Sequence, residues 1–153
     1  MDQRSVTELA RSAIAQVAPD ELPLFEAMTR VWFKDPRLAR VRRGGDETLG
    51  FGLAEVAPLL TPIVLATAGE IAKYLAEELG KSLAHMTADG IVQRIGRLFR
   101  REPVSPALTQ TQLSRIHDVA TQLLQTTAVT RDQSSFVADA LVGLLSSPAP
   151  DRS

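Results

Sequence analysis

Cysteine is absent from the chain, which excludes disulfides, thiol nucleophiles and zinc held by thiolates. Aromatic residues are only 5% of the sequence. Any core must therefore be mostly Leu, Ile, Val and Ala, and base-stacking platforms for nucleic acid are lacking. Charge of one sign is missing too: the formal net charge is −1 at pH 7, which argues against a basic nucleic-acid coat and an acidic tail. The N-terminal residues Met1-Asp2-Gln3-Arg4 lead into an amphipathic segment, not an apolar signal core, so a cytoplasmic location is expected.

Catalytic and cofactor signatures are equally sparse. Only two histidines occur. His85 and Asp89 stand one helical turn apart, but no third ligand is placed by spacing to complete a metal site. His117 adjoins Asp118, and neighbouring positions on a helix point in different directions, so no nucleophile–base relay is signalled. Glycines at 44, 45, 50 and 52 lack the Gly-Lys-Ser/Thr or dinucleotide pattern that would cradle phosphate. The chain reads as a non-enzyme with no cofactor and no metal.

What is present is helical. A 153-residue chain with 44% hydrophobic and 23% charged residues suits one globular domain. Its focal stretch has a small residue at every fourth position: Ala68, Ala72, Ala76, Gly80, Ala84 and Ala88. A parallel row, Ile71, Leu75, Leu79 and Leu83, is aliphatic. Rows four apart form helix ridges that pack into the grooves of another helix, and small residues let the two backbones approach closely. A long central helix over about 61–86 is predicted, with Pro62 in its first turn and Thr61 as its cap. Its outer face carries Glu70, Lys73, Glu77 and Lys81.

Around it, Ser5 and Glu8 form a capping-box spacing for a first helix ending near Val17. Asp20 is expected to cap a second helix with an apolar stripe of Leu24, Phe25, Met28, Val31 and Trp32, closed by Asp35-Pro36. A basic loop over 37–52 follows, then the apolar segment 51–69, in which Glu55 is the only charge. After a break at Thr87–Gly90, Ile91, Val92, Ile95, Leu98 and Phe99 line one face of a short basic helix. A proline-punctuated connector over 102–108 separates this core (1–101) from a helical hairpin over 109–145. The hairpin starts at two capping boxes, Thr109 with Gln112 and Thr130 with Gln133. A polar tail over 146–153 is expected to be disordered.

Two readings follow for an all-α bundle of this kind. In the first, it is a non-catalytic interaction or adaptor protein that packs or self-associates, as a homo-oligomer or with a protein partner. Its interface is the ridge Ala68, Ala72, Ala76, Gly80 and Ala84 with Ile71, Leu75, Leu79 and Leu83. In the second, segment 51–69 associates with or enters an anionic membrane, helped by Arg37, Arg40, Arg42 and Arg43 on one side and Arg94, Arg97, Arg100 and Arg101 on the other. Nucleic acid is the least favoured partner.

Overall fold

The computed structural model describes residues 3–34, 60–82, 85–102, 108–127 and 129–146. Among these are six α-helices, one 3-10 helix and no strand. They are α1 (Gln3–Val17), the 3-10 helix (Pro19–Leu24), α2 (Phe25–Lys34), α3 (Leu60–Ser82), α4 (Ala88–Phe99), α5 (Gln110–Leu124) and α6 (Arg131–Ser146). The fold is an all-α bundle. The expectations for the 37–52 loop, Glu55 and the 147–153 tail lie outside the described residues, as do Arg37, Arg40, Arg42 and Arg43.

Helix α3 packs against α1, α2, α4 and α5, while α6 lies against α5 and α1. The hairpin α5–α6 is therefore seated on the other helices. One continuous core runs through all of them, from Leu9 and Ile14 through Phe25, Leu65, Ile71, Leu75 and Phe99 to Ile116, Leu124 and Leu141. On α1 the inward face is Ser5, Val6, Leu9, Ala10, Ala13 and Ile14. Two alanines on that face keep the helix surface low where it meets its neighbours.

Helix starts separate into those set locally and those set from a distance. At α5, Thr109 N–H donates to Gln112 Oε1 at 2.9 Å and Gln112 N–H to Thr109 Oγ1 at 3.1 Å. At α6 the same pair of bonds joins Thr130 and Gln133, at 3.0 and 3.1 Å. Both capping boxes are formed as their spacing predicts. The box expected at Ser5 is not formed. Helix α1 already begins at Gln3, and Ser5 is fully buried with its hydroxyl accepting from Arg100 Nη1 at 3.3 Å.

Two further expectations are corrected near Asp20 and Thr61. Pro19–Leu24 winds as a 3-10 helix with Ala18 at its N-cap and Asp20 inside its first turn, so Asp20 is not the cap of a helix among the described residues. Its neighbour Glu21 instead reaches the start of α3. The Glu21 carboxylate accepts from Leu60 N–H at 2.8 Å, from Thr61 N–H at 2.8 Å and from Thr61 Oγ1 at 2.8 Å. Thr61 thus lies inside the first turn and is capped by a residue 40 positions earlier. A carboxylate there satisfies amides that have no intrahelical acceptor and faces the positive end of the helix dipole.

The α2 stripe is also narrower than its sequence suggests. Phe25 and Trp32 are buried with Thr29, whereas Leu24 and Val31 are 53% and 51% exposed. Val31 sits about 100° around the helix from Trp32, and Leu24 belongs to the 3-10 turn. Arg11 covers the Phe25 ring, its guanidinium carbon 4.8 Å from the centroid.

Glu21→Ala is expected to lower stability by about 1–3 kcal/mol, the cost of stranding part-buried donors. Asp20→Ala should change it by less than about 0.5 kcal/mol. Urea unfolding of the two variants checks the contrast, and equal losses would contradict it.

Candidate functional site

The small-residue ridge divides along α3. Ala68 and Ala72 are 0% and 1% exposed, yet Ala76 and Gly80 are exposed. Geometry explains the split. Residues are about 100° apart around an α-helix, so a row four apart advances by about 40° at each step. From Ala68 to Gly80 the row turns by roughly 120° and winds out of the core. Ile71, Leu75 and Leu79 start further round the inner side and stay buried throughout. Ala84 and Leu83 lie outside the described residues.

At Gly69, a Cβ would meet the Trp32 ring of α2 at 4.0 Å. At Gly80 it would meet nothing within 4 Å. The ridge is thus occupied by this chain's own helices at its start and by none of the described residues at Gly80. Lys73, Ala76, Glu77, Gly80 and Lys81 share the exposed strip, with charges alternating around two small residues.

Tyr74 is half-buried beside this strip, with Glu78 one turn on and Arg115 of α5 nearby. Loss of solvent around the phenol, and next the Glu78 carboxylate, push its pKa above the ordinary value, and Arg115 partly offsets them.

Within the described basic cluster, Arg97 and Arg100 lie against Glu102. Helix α4 ends in a Schellman turn, with Arg101 N–H donating to Leu98 O at 3.0 Å and Glu102 N–H to Arg97 O at 2.9 Å. Arg101 occupies the left-handed position of that turn, at φ 63°. The turn folds Glu102 back between Arg97, at 3.8 Å, and Arg100, at 3.1 Å. Arg97 and Arg100 thus share one carboxylate. Arg94 is half-buried.

In the apolar segment, Leu60, Ile63, Val64, Leu65 and Ala68 are all core residues; residues 51–59 lie outside the described residues. No helix among the described residues is long and apolar enough to cross a membrane. His85 is exposed, and no group of three His, Asp or Glu side chains among the described residues is placed to hold a metal.

His117 has a role that its neighbour Asp118 did not signal. Its Nε2 lies 3.0 Å from Asp139 Oδ1 of α6, at the edge of a cavity of about 510 Å³ between α5 and α6. Twenty-two positions separate the two residues, so only the packed hairpin brings them together. Comparison with family models, curated proteins and solved structures finds no match.

Tyr74 is the chain's single tyrosine, so tyrosinate absorbance reports on it alone. Its titration is expected above the usual value of about 10, and Glu78→Gln should bring it partly back. The unfolded phenol ionises first on raising pH, so this group's contribution to stability is intact below about pH 10 and is lost through the folded-state value. A titration at or below the usual tyrosine value would contradict the assignment.

Proposed function

We propose that this chain is a non-catalytic helical interaction protein that self-associates through the exposed part of the α3 ridge. The observation that carries the reading is Gly80, a helical glycine where a Cβ would meet no described atom within 4 Å beyond its own helix. Glycine in a helix costs about 0.8–1.0 kcal/mol relative to alanine. Inside this chain nothing among the described residues requires that cost, and a second helix approaching to close range would. Ala76, one turn earlier and also exposed, keeps the strip low beside it.

Charge supports a pairing between identical copies. Glu77 and Lys81 bracket Gly80 with opposite signs. Two α3 helices crossing antiparallel near residue 79 would set Glu77 of each against Lys81 of the other, as a two-fold interface requires.

The competing reading, entry of 51–69 into a membrane, meets an energetic obstacle. It would draw Leu60, Ile63, Val64 and Leu65 out of the core, and each such side chain contributes roughly 1.5–3 kcal/mol when buried.

The test is Gly80→Leu. Open space at the site and a better helix propensity should leave the folded monomer as stable as before or slightly more so. The added bulk should block close approach and lower the mass measured by sedimentation equilibrium. A parent chain that sediments as a monomer, or a variant with unchanged mass, overturns the proposal.

A further inference from the structure

We infer that the outward edge of α2 is a second self-association surface, on which α2 of another copy packs antiparallel and pairs Leu24 with Val31 and Glu26 with Arg30 across a two-fold axis near residues 27 and 28. This contact is separate from the one on α3 and does not depend on it.

Helix α2 is covered on one side. It packs on α3 and on the 3-10 helix that precedes it, with Phe25, Thr29 and Trp32 buried. On the other side Leu24 and Val31 are each more than half exposed. Seven residues apart, they stand nearly two turns, or about 10 Å, from one another along one edge. Ala27 lies between them and is exposed as well, so the middle of that edge is low enough for a second backbone to come close. Apolar side chains exposed together on one edge, rather than singly, mark an interaction surface.

The charges beside this row select the occupant. Glu26 and Arg30 are exposed, one turn apart and opposite in sign. A two-fold axis across two antiparallel helices keeps like edges together and reverses the order of residues along them. Leu24 of each copy then meets Val31 of the other, and in nearly the same register Glu26 meets Arg30. Parallel pairing would set like charges side by side. Arg30 has no acidic partner among the described residues. Glu26 lies 3.9 Å from Arg11 with most of its side chain in water, a pair that contributes little and yields readily to another. The edge is short, so the contact it supports is weak and depends on concentration.

The chain has no cysteine, so Ala27→Cys places a single thiol beside the axis. Mild oxidation of the full chain is expected to trap a disulfide-linked dimer, faster as protein concentration rises. Gly143→Cys, exposed on α6, gives the rate of random encounter, which Ala27→Cys should exceed by at least about tenfold. Arg30→Glu added to Ala27→Cys should remove the excess by setting like charges against each other, and Glu26→Arg added to both should restore it. Val31→Asp should also remove it and leave the melting temperature unchanged, since Val31 is outside the core. Gly80→Leu should leave the excess intact, which separates this contact from the one on α3. A rate no greater than that of Gly143→Cys, a charge exchange that fails to restore it, or loss of the excess in Gly80→Leu would overturn the inference. Slow cross-linking with a lowered melting temperature in Val31→Asp would assign the edge to another segment of the same chain, and would overturn it equally.

Discussion

Burial of the inner face of α3 is the constraint under which the other helices take their places. Val64, Leu65, Ile71 and Leu75 are all 0% exposed, and an α-helix of this length is about 35 Å from end to end. Covering so long an apolar face takes more than one helix, and α1, α2, α4 and α5 each take part. The same geometry sets what is left over. Because a four-apart row rotates as it climbs, a chain that buries Ala68 and Ala72 must turn Ala76 and Gly80 outward. The exposed strip is a geometric consequence of the buried one.

A face that long also needs a defined starting point. Glu21 supplies it by accepting from both the amide and hydroxyl of Thr61 and from the amide of Leu60. The bond set joins the turn after α1 to the first residues of α3, so α1 and α3, already packed together, are also held in register. Gly96 marks a second tight junction. A Cβ there would lie 3.0 Å from both Ser5 Oγ and Arg100 Nη1, so a small residue on α4 lets Arg100 fold across and reach the buried Ser5 of α1. These long-range polar contacts position helices that apolar packing alone would leave free to slide.

Much of this architecture can be read from the chain, and the failures have a common cause. Thr109 with Gln112 and Thr130 with Gln133 were legible because a capping box closes within four residues and needs no help from elsewhere. Ser5 with Glu8 has the same spacing and is not a cap. The hydrophobic demand at Val6, Leu9 and Ala10 extends the helix back to Gln3 and carries Ser5 into the core. The period that gives α4 its buried Ile91, Ile95, Leu98 and Phe99 also places Val92 inside, and that of α6 places Phe136 inside, yet these two are 36% and 54% exposed. The apolar face of α2 was read too wide, because Leu24 belongs to a different winding and periodicity cannot say where a 3-10 turn hands over to an α-helix. Glu21 on Leu60 and His117 beside Asp139 leave no local pattern at all, since each pair exists only after distant segments have met. The α3 ridge was visible as a row of residues, but which part of it faced the chain depended on where the core stops.

The fold leaves two kinds of unfinished surface, and they differ in what they imply. An exposed glycine such as Gly80 costs the helix only propensity, and water fills the space beside it without penalty. A buried hydroxyl such as Ser134 Oγ has been removed from water and has no hydrogen-bond partner among the described residues, a cost of about 1–3 kcal/mol. Apolar packing does not require it, because alanine would occupy the same position with no polar atom to satisfy. The first feature fits a surface that associates reversibly, since the monomer is complete without its partner. The second is closed to solvent inside the packed hairpin, so it offers nothing for a partner in solution to reach.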